Sequence, residues 1–135
     1  MNFKELVESA ADILGAKFTH DEQNIYSIEI LFEDNQKETV YVYQDIFESE
    51  EEGITKKIIV CESLIGKYDD SINLLSLIQS NGDYFFSRVC INDEDQKIIV
   101  ESSTFMENLN SLNLSVIIDE VSQQSSYIRE EIIKI

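Results

Sequence analysis

Proline is absent from the 135 residues, tryptophan is absent, and glycine occurs only four times. Average usage would give about 7 prolines and about 9 glycines, so long flexible linkers and proline-rich ligand segments are excluded. Basic side chains are scarce as well: ten lysines and arginines stand against 27 acids, for a net charge of −17. The only arginines are Arg88 and Arg129. Nucleic-acid affinity rests on cations that displace counterions, so nucleic acid is excluded as a partner, and anionic membrane surfaces are repelled by the same field. Basic or weakly charged protein partners are attracted by it, and the charge also keeps the protein in solution.

The residues that carry chemistry are few. One histidine, His20, and two cysteines, Cys61 and Cys90, cannot build a four-ligand zinc site, and neither cysteine belongs to a Cys-x-x-Cys pair. Both read as buried free thiols, and His20 as a loop residue. No serine sits in a Gly-x-Ser-x-Gly elbow, and Gly15, Gly53, Gly66 and Gly82 are too dispersed for a phosphate loop. The acidic stretches 45–52 and 92–95 lack the ordered spacing and central glycine of a calcium loop and read as solvated turns. The expectation is no catalytic residue, no metal and no cofactor, in a protein that is not an enzyme.

What is present is apolar material: 43% of residues are hydrophobic and 10% aromatic, too much for a disordered acidic tail. The length fits one domain spanning 1–135, able to close a core without a metal or disulfide. Glu5 and Glu8 interrupt the first turns where a secretory signal would be apolar, and the longest apolar run, around Ile58–Cys61, is far short of the about 20 residues a spanning helix needs. The reading is a cytoplasmic protein with no membrane association.

Hydrophobic periodicity divides the chain. Phe3, Leu6, Val7, Ala10, Ile13, Leu14 and Phe18 form a helical stripe over 2–18, fading near His20-Asp21-Glu22 into a loop. Alternation from Tyr26 to Phe32 predicts a strand, as do the β-branched and aromatic runs 39–43 and 57–61. Five carboxylates between Asp45 and Glu52 predict an open loop held out by repulsion. A short helix follows Asp70-Ser71 and stops at Asn81-Gly82, and runs 84–91 and 97–101 predict a hairpin. Thr104 and Glu107 have capping-box spacing within a looser stretch, 104–113. The last helix is expected from about Leu114, with Leu114, Ile117, Ile118, Val121, Ile128 and Ile132 buried and Glu120, Gln124, Arg129, Glu130 and Glu131 wet. The order is α-β-β-β-α-β-β-α, an α+β class with an antiparallel sheet and helices packed mainly on one face.

Several strands are apolar on both faces. Tyr41, Tyr43, Phe86 and Ile99 fall opposite Val40, Val42, Phe85 and Ile98. If the first set lies on a face without helices, it is a partner-binding or dimer surface; a second helix layer or edge burial accounts for the pattern equally well.

Residues 74–131, from Leu74-Leu75 through Gly82, the 84–101 hairpin, Leu109, Leu112 and the long last helix, resemble the carboxy-terminal half of the type III secretion chaperone-like superfamily, including its YbjN-like branch. The whole chain is similar to that family in size, acidity and element order. The resemblance implies a small homodimer that binds an extended segment of a protein client, with pairing mapped onto Ile72, Leu75 and Ile78. The chain departs from the family in its hairpin turn, where Asp95-Gln96 replaces the usual glycine. The function expected is therefore a non-enzymatic chaperone-like or adaptor protein. The alternative is an acidic inhibitor or immunity protein that mimics a polyanion at a partner's basic site.

Overall fold

The computed structural model describes residues 1–20 and 23–134. Helix α1 runs Phe3–Leu14, with the Asn2 side chain accepting from the Glu5 N–H at 2.8 Å as the amino-terminal cap. It ends earlier than its stripe suggested. Gly15 adopts φ +63°, and its N–H turns back to the Ala11 and Asp12 carbonyls, the left-handed stop that glycine makes without steric cost. Phe18, assigned to the helix from its spacing, instead lies in a short strand, β1 (Lys17–His20). His20 is thus a strand residue, its ring stacked on Tyr26 with centroids 4.6 Å apart. The loop expected at Asp21-Glu22 lies outside the described residues.

Five further strands follow: β2 (Tyr26–Leu31), β3 (Lys37–Ser49), β4 (Ile54–Lys67), β5 (Arg88–Ile91) and β6 (Lys97–Phe105). Every pairing is antiparallel, and the sheet order is β1-β2-β3-β4-β6-β5. The stretch read as an open acidic loop is mostly strand. Asp45 to Ser49 pair with Ile58 to Ile54, forming a long hairpin arm with only its tip in a turn. Backbone pairing and the placement of Ile46 and Phe47 opposite Lys57 and Lys56 outweigh repulsion between carboxylates that face water. Runs 84–91 and 97–101 need correction in the other direction: β5 begins only at Arg88, and β6 continues to Phe105, so Thr104 is strand and caps nothing.

Helix α2 (Leu74–Ser80) is capped by Asn73, and α3 (Ser111–Tyr127) by Asn110, three residues before its expected start. A wider π turn, Ile128–Ile133, extends α3. All buried sheet residues lie on one face, among them Ile28, Val40, Val42, Ile59, Cys61, Ile98 and Val100, alternating with neighbours that none of the helices covers. Helix α3 packs on that face and α1 packs on α3, so the α+β, one-sided architecture anticipated from the pattern is the one observed.

Two polar features hold the helical layer. Gln124, expected in water, is fully buried; its amide donates to Ser80 Oγ at 3.2 Å and Asn81 Oδ1 at 2.8 Å and accepts from Ser87 Oγ at 2.7 Å. Arg129 is likewise not a solvated residue. Its Nε donates to both oxygens of Glu38, at 2.9 and 3.2 Å, and its Nη atoms donate to the Leu64 and Ile65 carbonyls at 2.7 and 3.2 Å. Those carbonyls lie at the β4 bulge, beyond the last β3–β4 register pair at Tyr41 and Glu62, so the guanidinium stands where strand pairing has stopped.

Candidate partner-binding site

Strand alternation places Tyr41 and Tyr43 of β3 and Ile99 of β6 together on the helix-free face. One cross-strand row reads Tyr41, Glu62, Glu101, Arg88, and the next reads Leu64, Ile99, Cys90. Tyr41, Leu64 and Ile99 line a shallow concavity of about 240 Å³, whose polar rim includes Glu62, Asp95 and Lys97. Farther along the same face, Phe105 meets Phe47 edge-on, ring centroids 5.9 Å apart, and Ile58 and Phe105 border a second concavity of about 310 Å³. The surface is therefore apolar in patches, with acids between them.

Its electrostatics are internally ordered. Tyr43 Oη donates to Glu62 Oε2 at 3.2 Å. Burial, reinforced by the Glu62 charge, pushes the Tyr43 phenol up to about 12, so it remains a neutral donor. Burial also holds Glu62 above the ordinary glutamate range, with Glu101 adding to the effect against the lowering Tyr43 bond. Arg88 Nη2 reaches Glu101 at 3.1 Å, which leaves one cation for two carboxylates. Cys61, on the inner face, is raised to about 12 by burial and does not act as a nucleophile at neutral pH.

Phe86 does not join this face. The segment 84–87 leaves the sheet, because Glu120 of α3 accepts from the Phe86 and Ser87 N–H groups at 2.6 and 3.1 Å. Phe85 and Phe86 are exposed to solvent, Phe85 at 93%. The three residues assigned to pairing separate similarly: Leu75 and Ile78 are 63% and 56% exposed on α2, beside exposed Leu74, whereas Ile72 precedes the helix and is half-buried against the core. Leu77 on the opposite side of α2 is buried.

The two sheet edges are unequal. At β5, the Val89 N–H donates to Asn81 Oδ1 at 2.7 Å and the Val89 carbonyl accepts from Asn81 Nδ2 at 3.5 Å. A side-chain amide thus occupies the position of a neighbouring strand and blunts that edge. At the other end, β1 has β2 as its sheet partner among the described residues. Sequence reasoning did not single out Leu64, and it read Asn81 only as part of a helix stop, not as a cap on a sheet edge. The outward parity of Leu64 with Glu62 in β4 was a usable signal for the first; the second depends on contacts over eight and 43 residues and left none.

Comparison with solved structures gives the fold independently. The chain is similar to the chaperone SchA of the HopA1–SchA chaperone–effector complex, at 12% identity, covering 95% of this chain and 93% of that one, with a TM-score of 0.62. It is similar to the Yersinia pestis type III secretion chaperone SycH, solved with a stable fragment of YscM2, at 14% identity over 93% and 98% of the two chains, TM-score 0.55. ExsC of the ExsC–ExsE complex gives 13% identity over 97% and 96%, TM-score 0.56. No protein-family model and no curated protein sequence matches the chain. At these identities the likeness is one of fold, and that fold is the secretion-chaperone one.

Proposed function

We propose that this protein is a non-enzymatic, cytoplasmic homodimer that acts as a chaperone-like adaptor, holding an extended segment of a protein client. The observation that carries the reading is the apolar surface that the chain's own helices leave uncovered: Tyr41, Leu64 and Ile99 on the sheet, and Leu74, Leu75 and Ile78 on α2. Large apolar side chains rimmed by acids mark surfaces that meet another polypeptide. The three similar chaperones were each solved with a protein partner, which supports the same use of the fold here.

The two surfaces divide the work. The α2 face pairs two copies, and the helix-free sheet face receives the client, assisted by the open edge of β1, where an extended segment adds backbone hydrogen bonds. Asn81 keeps the β5 edge from competing. The net charge excludes acidic partners and maintains solubility while apolar surface is exposed.

The test is recovery of a bound protein from the native host, followed by binding of its fragments to wild type and to Tyr41→Ser/Leu64→Ser. An extended fragment that binds wild type, survives raised salt and is weakened by the double variant supports the reading. Binding that collapses with salt and ignores the double variant overturns it in favour of polyanion mimicry.

A further inference from the structure

On the helix-free face, β4 presents one outward column, Leu64, Glu62, Val60 and Ile58, and no register shift interrupts its pairing with β6 over that run. Strand geometry sets these side chains about 6.5–7 Å apart, so the column spans about 20 Å from end to end. Both ends are apolar. Leu64 joins Tyr41 and Ile99 in the concavity of about 240 Å³, and Ile58 borders the one of about 310 Å³ beside Phe105. Between them, Glu62 stands directly opposite Glu101 in the β4–β6 pairing. Like charges that face each other across a strand pair are destabilising. The chain answers only one of the two with a cation: Arg88 binds Glu101 at 3.1 Å. Glu62 accepts from the neutral Tyr43 phenol and joins no ion pair among the described residues.

Charge and spacing together define the occupant. A second copy is disfavoured, because a two-fold contact lays the same patch on itself and brings Glu62 and Glu101 towards carboxylates of their own kind. An extended foreign segment lying along β4 turns every second side chain to the sheet, at the interval of the column itself. The segment that matches sets an apolar side chain over Leu64, a cation two residues on over Glu62, and a second apolar side chain four residues farther over Ile58.

We infer that the helix-free face selects client segments of the pattern apolar-x-basic-x-x-x-apolar, or its reverse, with the lysine or arginine seated at the Glu62–Glu101 pair. The inference rests on the client-binding reading of this face and adds the chemistry of the client.

The experiment is an amide-resolved NMR titration of the full chain at fixed ionic strength with the blocked peptide Leu-Thr-Arg-Thr-Ser-Thr-Ile and with its reversal. One of the two is expected to shift Ile58, Glu62, Leu64 and Ile99 saturably. Citrulline in place of arginine weakens it by about fivefold, the upper range for a partly exposed ion pair. Leu-Thr-Thr-Arg-Ser-Thr-Ile, of the same composition, weakens it as much, because its cation faces water. Glu62→Gln/Glu101→Gln binds the arginine and citrulline peptides equally, and its unchanged affinity for the citrulline peptide shows that the face is intact. Failure of both peptides to saturate, equal binding of the shifted peptide, or an arginine preference that persists in the double variant would each overturn the inference. Conversion of a wild-type dimer to single chains by Leu64→Ser would assign the face to a second copy and overturn it as well. If the peptides fail while a fragment of a recovered client is still weakened by Tyr41→Ser/Leu64→Ser, the pattern falls and the client-binding reading stands; if that fragment also ignores the variant, both fall.

Discussion

Replacing Arg129 by methionine isolates the contact that ties the end of α3 to the sheet. Glu38 is 3% exposed, and Arg129 is its ion-pair partner. At an effective dielectric of about 20, two charges about 4 Å apart attract by about 4 kcal/mol, which the variant forfeits. The penalty has a ceiling, because Glu38 can take up a proton instead. From an ordinary glutamate value of about 4.3, protonation costs about 3.7 kcal/mol at pH 7 but only about 1 kcal/mol at pH 5. The Leu64 and Ile65 carbonyls lose their donors at both pH values, a loss of about 1 kcal/mol that water partly offsets at this half-open site. Arg129→Met is therefore expected to destabilise by about 4 kcal/mol at pH 7 and by less than half that at pH 5. Urea unfolding followed by far-ultraviolet circular dichroism measures both, and Glu38→Gln/Arg129→Met should recover most of the loss at pH 7. A cost below about 1 kcal/mol at pH 7, or one that does not fall with pH, would refute the argument that a buried unpaired carboxylate is its source.

Burial holds Glu38 and Glu62 above the ordinary range, and desolvation with the neighbouring Asp34 does the same for Glu130. A raised carboxyl binds its proton more tightly folded than unfolded, so the folded state loses stability as pH rises through these values. The melting temperature should accordingly increase as pH falls from 7.5 to about 5.5, and a decrease over that window would contradict the assignment. Gln96 adopts φ +59° in the β5–β6 turn, the position where the resemblance led one to expect glycine. Gln96→Gly should stabilise by about 0.5–1 kcal/mol in chemical denaturation, and a loss of stability would show that the Gln96 side chain outweighs its strained backbone. Asn81→Ala should destabilise by about 2 kcal/mol and cause association that rises with concentration, as Val89 is freed and Gln124 loses a partner. Native Cys61 should resist alkylation at pH 8 over times that modify an unfolded control completely, judged by mass spectrometry.

The parts of the fold governed by local period were legible in the sequence. Helix α1 showed its stripe, β2 its alternation, and the two-sided strands placed Tyr41, Tyr43 and Ile99 on a common face through parity alone. Strand β1 was hidden because Phe18 sits four residues after Leu14 and so continues the helical stripe. The informative residue was Gly15, which stops the helix through its backbone. The acidic arm misled because charge was weighed against an isolated loop, whereas Ile46 and Phe47 had a complementary strand waiting at Thr55–Lys57. Gln124 and Phe86 were illegible for one shared reason. Each is positioned by hydrogen bonds to groups more than 30 residues away, and no periodicity within a helix or strand encodes such a pairing.

The central claim is that side chains left bare by one chain are covered by another, beginning with a second copy at α2. Sedimentation equilibrium of the wild type and of Leu75→Glu/Ile78→Glu across a wide concentration range tests it most directly. The account predicts twice the chain mass for the wild type and the single-chain mass for the variant, with circular dichroism and melting of the dissociated variant showing an intact fold. A wild type that remains a single chain at every concentration would contradict it.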